Sequence, residues 1–201
     1  MKIGVFGGTF DPVHLGHLVL AGECRRQVGL DEIWFVPSAH HPFKPDEQVS
    51  SFADRVAMLR LALEVREGYR VCEIERELPA PTYTANTLEA LGSRYPGNDW
   101  YFLMGADALA ELPLWHEPAR IVARATLVVM GRPGTPAIKA EQLRTNLKLE
   151  PEDLVRLQWV DVPPVDIASR EIRRRVRAGE PIHAMAPLAV EDYIRRHNLY
   201  H

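Results

Sequence analysis

The opening stretch, MKIGVFGGTFDPVHLGH, limits what this chain can fold into more than any other part of it. Lys2 to Phe6 reads as a strand, Gly7-Gly8 as a turn, and Leu15, Leu18, Val19, Gly22 and Val28 fall near helical spacing. That spacing predicts a helix from about Leu15 to Val28, stopped at Gly29. Strand, glycine turn and helix start together offer backbone N–H groups and a positive dipole end to an anion. Gly7 and Gly8 allow close backbone approach. His14 and His17, three apart on the first helical turn, can turn both rings to one site and donate hydrogen bonds to phosphate oxygens. Two other readings compete. A metal pair requires a third ligand, which no His-Glu-x-x-His pattern or neighbouring cysteine pair provides, and satisfied core histidines require no ligand at all.

The remaining apolar runs extend the same pattern. Ile33 to Val36, Tyr69 to Ile74, Trp100 to Met104, Thr126 to Met130 and Val155 to Val162 read as strands. Between them lie a helix behind a Ser51 and Asp54 capping box, and a segment from Thr87 capped by Thr84 or Asn86. A basic helix capped by Ser169 ends before Gly179, and a last amphipathic helix follows Pro187. Strands alternating with helices predict an α/β, Rossmann-like parallel sheet flanked by helices. With 201 residues and 46% hydrophobic content, one domain over 1–201 is expected, its C-terminal helical part (about 167–201) packed on it. A net charge of −3 leaves no basic field to hold nucleic acid, so any phosphate must be bound locally. No apolar run reaches membrane-spanning length, the start lacks a signal-peptide pattern, and the cytoplasm is the expected location. Cys24 and Cys72 are too few and too separated for a disulfide or thiolate framework and read as packing residues.

The segment Gly7-Gly8-Thr9-Phe10-Asp11-Pro12-Val13-His14-Leu15-Gly16-His17 resembles the signature of the nucleotidyltransferases that carry a His-x-Gly-His motif. Further segments match in order: Tyr83-Thr84-Ala85-Asn86-Thr87-Leu88, Gly105-Ala106-Asp107, Leu114-Trp115-His116, Arg132-Pro133-Gly134 and Ile172-Arg173. Together they resemble the bacterial nicotinate mononucleotide adenylyltransferases within that group. The resemblance implies transfer of the AMP part of ATP to nicotinate mononucleotide, with Mg²⁺ arriving on the ATP and no metal held by the protein. A sister enzyme using nicotinamide mononucleotide or phosphopantetheine would share the opening motif but fits the Tyr83 to Leu88 and Leu114 to His116 segments less well. A nucleotide-binding regulator without turnover is the reading from another class, and the intact His14 and His17 argue against it.

By resemblance, His17 contacts the α-phosphate under attack, and His14 with the Gly8-Thr9-Phe10 main chain holds phosphates nearby. His14, His17, Lys44 and Arg173 form the implied catalytic set, and Gly105, Asp107 and Ser169 join the ATP site. Thr9, Lys44, Tyr83, Thr84, Thr87, Trp115 and Arg132 form the implied mononucleotide site, with Trp115 stacking on the pyridine ring. The residues alone also permit plainer roles: Lys44 as a solvated lysine, Trp115 as packing, Asp107 and Thr84 as helix caps. Either His40 or His41 could touch substrate. Asp11 reads as a turn-former before Pro12. Ala168 and Arg170 stand where the family run carries hydroxyl residues, so hydroxyl contacts to triphosphate are not expected there. Most of the arginine run through Arg177 reads as a solvated helix face.

Overall fold

Strands that are apolar on both faces need cover on each side, which a parallel sheet flanked by helices supplies. The computed structural model, which describes residues 1–39, 49–131 and 137–201, has that arrangement. Strands β1 (Lys2–Gly8), β2 (Glu32–Pro37), β3 (Tyr69–Val71), β4 (Asp99–Gly105), β5 (Thr126–Gly131) and β6 (Leu157–Asp161) form one sheet ordered β3-β2-β1-β4-β5-β6. Every neighbouring pair is parallel. Alternation along β1 divides two cores. Phe6 faces one with Leu18, Ala21, Met58, Ile172 and Ile194, while Ile3 and Val5 face the other with Leu88, Leu91, Ile121 and Leu143. The first core is covered by helices α1 (Leu15–Val28), α2 (Phe52–Leu63), α7 (Ser169–Arg177) and α8 (Leu188–Arg196). The second is covered by α3 (Thr84–Arg94), α4 (Ala106–Glu111), α5 (Pro118–Arg124) and α6 (Ala140–Asn146). Cys24 and Cys72 lie in opposite cores, buried and free. Burial pushes the Cys24 thiol up to about 12, so both serve as packing groups.

Helix α1 has the predicted bounds, ending at Gly29 in the left-handed conformation that glycine adopts without strain. Ser51 caps α2 by accepting from the Asp54 N–H. Three expectations are corrected. β3 stops at Val71, and Ile74–Glu77 forms a 3-10 turn that tucks Glu75 inward instead of continuing the strand. The N-cap of α3 is Tyr83, not Thr84 or Asn86, and it gives no side-chain bond. Ser169 begins α7 behind Ala168 and does not cap it, because its hydroxyl donates to the Pro12 carbonyl at 2.9 Å. At the chain end, Tyr193 on α8 donates to Asp54 Oδ1 on α2 at 3.0 Å and ties the C-terminal helix to the sheet's first layer.

Candidate active site

In an open parallel sheet, ligands collect beyond the carboxyl ends of the strands where the winding reverses. Here that point lies between β1 and β4, since the chain leaves β1 toward β2 on one side and returns to β4 on the other. Gly7, Gly8, His14, His17, Gly105, Asp107, Ser169 and Arg173 all lie in or just after elements that end or begin on this edge. His14 is the N-cap of α1. Its Nδ1 accepts from the His17 N–H at 3.4 Å, and His17 Nδ1 accepts from the His14 N–H at 3.3 Å. A ring whose Nδ1 accepts carries its proton on Nε2. Both imidazoles are thus neutral Nε2–H donors, stacked with centroids 3.6 Å apart. Burial lowers the His14 pKa to about 4 and that of His17 well below its usual value, with the neighbouring histidine adding to the second effect. Gly16 makes the pair possible, because a Cβ there would lie 2.7 Å from Val165 and 2.9 Å from His14 Nδ1.

One expectation about this helix start changes. The Leu15 N–H is bonded to the Met185 carbonyl at 2.9 Å and the His17 N–H to His14, so these donors of the first turn are spent inside the protein. The turn that precedes the histidines is supported from several sides. Arg55 on α2, only 4% exposed, donates to the carbonyls of Thr9 and Ser38 at 2.8 Å each and of Ser50 at 3.2 Å. Sequence reading missed it because an arginine among apolar helical positions looks like a solvated one. Burial lowers its pKa, opposed by the charge of Asp11. Asp11 is more than a turn-former. It is 3% exposed, and its carboxylate accepts from Tyr200 Oη at 2.7 Å and from the Ser50 N–H at 3.3 Å. Arg173 donates from Nη1 to the Asp11 carbonyl at 2.7 Å, whereas Arg174 and Arg175 pair with Glu171 on the outer face of α7, as the run was read.

A cavity of about 320 Å³ runs from Gly7 and Gly8 past Ser38 and Thr87 to Trp115. Tyr83 and Thr84 line it as expected. Trp115 is half-buried, set edge-on to Phe102 at 6.2 Å, so it both packs and borders the cavity. Tyr83 stacks on His116 at 4.0 Å. Thr87 is in the cavity wall, but its hydroxyl is occupied, donating to Glu75 Oε1 at 2.8 Å. Glu75 also accepts from the Ala39 N–H at 3.2 Å and so links α3 to the segment after β2. Burial raises its pKa, against hydrogen bonds from Thr82, Thr87 and Ala39. No sequence pattern pointed to this carboxylate. Asp107 stands exposed in the first turn of α4 behind the N-cap Gly105 and does not cap that helix. Lys44, His40, His41 and Arg132 lie outside the described residues.

A model of the cytidylyltransferase-like family matches residues 5–175, from within β1 to near the end of α7. The chain belongs to the cytidylyltransferase-like family. Relatives named "Probable nicotinate-nucleotide adenylyltransferase" align along nearly the full length. The one from Bacillus pumilus is 40% identical, covering 99% of this chain and 98% of its own. The one from Thermomicrobium roseum is also 40% identical, covering 99% and 91%. Among solved structures, a Plasmodium falciparum nicotinic acid mononucleotide adenylyltransferase complexed with NaAD superposes with a TM-score of 0.76. It covers 99% of this chain and 97% of its own at 20% identity, a likeness of fold.

Proposed function

We propose that this protein is a nicotinate-nucleotide adenylyltransferase, moving the adenylyl group of ATP onto nicotinate mononucleotide and releasing pyrophosphate. The observation that carries the reading is one continuous cavity from the Gly7-Gly8 turn to Trp115, in a chain that relatives of that name match end to end. A phosphate oxygen of the mononucleotide attacks the α-phosphorus of ATP. A new P–O bond forms, the bond to the bridging oxygen breaks, and pyrophosphate leaves with the electron pair. The nucleophile is already an anion, so the protein's part is placement and charge stabilisation rather than proton removal.

The Nε2–H of His17 donates to the α-phosphate, and the Nε2–H of His14 holds a neighbouring oxygen. The main chain of Gly8, Thr9 and Phe10 lines the polyphosphate, with Arg173 and the start of α7 behind it. Lys44 joins that set through the family resemblance alone, and Arg132 joins the mononucleotide site in the same way. Gly105 and Asp107 at the end of β4 meet the adenosine, while Tyr83, Thr84 and Trp115 take the pyridine ring. Magnesium belongs to the nucleotide substrate in this reading. Among the described residues no three His, Cys, Asp or Glu side chains cluster, and the Asp11 carboxylate is engaged by Tyr200 and Ser50. The test is pyrophosphate release with ATP and, in parallel, nicotinate mononucleotide, nicotinamide mononucleotide and phosphopantetheine. Release with the first is expected. Release with phosphopantetheine alone, or with none of them, would sink the assignment.

A further inference from the structure

The turn assigned to the ATP phosphates does not hold its own shape. Phe10 lies at φ 51°, in the left-handed region that a residue with a Cβ rarely occupies unless its surroundings impose it. The surroundings here are bonds from remote parts of the chain: Arg55 to the Thr9 carbonyl, Arg173 to the Asp11 carbonyl and Ser169 to the Pro12 carbonyl. From beyond α8 Tyr200 reaches a turn side chain, its hydroxyl donating to Asp11 Oδ1 at 2.7 Å. The chain reaches that position through two further left-handed residues, Asn198 (φ 51°) and Tyr200 itself (φ 68°), with Leu199 bonded back to Ile194 at 3.0 Å. Two strained residues bring one hydroxyl to one buried carboxylate. Burial pushes the phenol well above its ordinary pKa, which keeps it a donor. Arg173 Nη1 stands 3.9 Å from the other carboxylate oxygen. An Asp11 without the tyrosine donor would draw that guanidinium toward itself and away from a nucleotide.

We infer that Tyr200 is a positioning residue for adenylyl transfer: by holding Asp11 it fixes the Thr9–Asp11 turn in the form that grips ATP and leaves Arg173 available to the phosphates. This rests on the assignment of that turn to ATP made above.

Tyr200→Phe, Asp11→Asn and the double variant, each in the full chain, test it through thermal midpoint, ATP affinity by calorimetry without mononucleotide, and separate KM values for both substrates. Loss of one charge-assisted bond predicts that Tyr200→Phe weakens ATP about tenfold in both affinity and KM, with mononucleotide KM moving less than about twofold. The midpoint should fall by no more than about 10 °C, the worth of that one bond in a chain of this size. Because the hydroxyl works through Asp11, the double variant should be no worse than Asp11→Asn alone. Parent-like ATP affinity in Tyr200→Phe overturns the inference. So do additive losses, or an equal rise of both KM values alongside a fallen midpoint. Should Tyr200→Phe not fold, Asp11→Asn decides by the same split between substrates. A parent that binds ATP but uses no nicotinate mononucleotide refutes only the proposed activity, and the ATP affinities still judge the clamp. A parent that binds no ATP overturns both.

Discussion

His14 and His17 each spend Nδ1 on the other's backbone, and this fixes which proton each ring offers and where it points. His17→Ala should therefore keep the fold and lower kcat by about 10²–10³, the usual effect of removing one donor from a transition state, read by pyrophosphate release. His14→Ala should cost less in turnover, because the backbone N–H of residue 14 still orients His17, but it removes a helix cap worth about 1 kcal/mol. His14→Asn supplies a good N-cap and should recover that stability in urea unfolding without recovering the donor. The depressed pKa gives a pH dependence with a definite sign. Between about 4 in the folded state and 6.5 unfolded, the unfolded chain binds more protons at residue 14. The His14 contribution to stability should thus be flat above pH 7 and fall as the pH drops from 6.5 toward 4, by about 3 kcal/mol. Urea midpoints that do not decline over that range would contradict a neutral buried pair. The spacing of the histidines was legible in the sequence, but their mutual capping was not, since the residues that signal a cap are Ser, Thr, Asp and Asn. Arg55 and Asp11 were illegible for a related reason. Apart from the nearby Ser50 carbonyl, their partners include carbonyls 17 and 46 residues from Arg55 and a tyrosine 189 residues from Asp11, and burial of a charge depends on such contacts rather than on local pattern.

Helix α7 shows how one element carries two faces that composition cannot separate. Arg174 and Arg175 hold the Glu171 carboxyl down to about 2 on the solvent side, while Arg173, one position back, turns to the Asp11 carbonyl. Arg173→Ala should raise the KM for ATP and lower turnover by an order of magnitude or more, the worth of a charged hydrogen bond to phosphate, whereas Arg175→Ala should change either by less than about twofold. Equal effects would mean that the helix acts as a diffuse field. On the other layer, Glu75 joins the 3-10 turn, α3 and the segment after β2 through Thr87 and Ala39. Thr87→Val leaves a buried carboxylate short of one donor, at a cost of about 1–3 kcal/mol of stability, and should raise mononucleotide KM more than ATP KM. Steady-state kinetics with each substrate varied in turn distinguishes that from general loosening. The long periodic elements, α1 and the strands of the sheet centre, could be read from hydrophobic spacing because burial on fixed faces determines them. The short α4, α5 and α6 could not, since six or seven residues complete too few turns to display a period. Pro118 and a left-handed Glu117 set the start of α5 where no capping residue stands.

At the scale of the whole molecule, the net charge of −3 bears directly on substrate choice. A protein that is negative overall repels anions at long range, within the screening of about 8 Å at physiological salt. Preferring nicotinate over nicotinamide mononucleotide means preferring the more negative of two otherwise similar ligands, so the preference must come from donors at contact distance. Trp115 cannot supply it, because stacking on an aromatic face is nearly the same for either ring. The start of α3 can. Its N-cap Tyr83 gives no side-chain bond, its positive dipole end opens beside Thr84 on the cavity wall, and Trp115 lines the same cavity. A carboxylate accepts from such N–H groups, whereas an amide can turn its own NH₂ against them and leave a donor unpaired. A charged hydrogen bond is worth about 1.5–3 kcal/mol, which sets the expected preference for nicotinate mononucleotide in kcat/KM at tenfold or more. Trp115→Ala should weaken both mononucleotides by a similar factor and leave their ratio intact. A ratio near one in the parent, or a ratio that collapses in Trp115→Ala, would move the reading of charge away from α3 and onto the aromatic wall. Raising the ionic strength separates these further, because contact donors in a cavity are screened far less than a surface field. The ratio should hold at high salt even as both values of kcat/KM change.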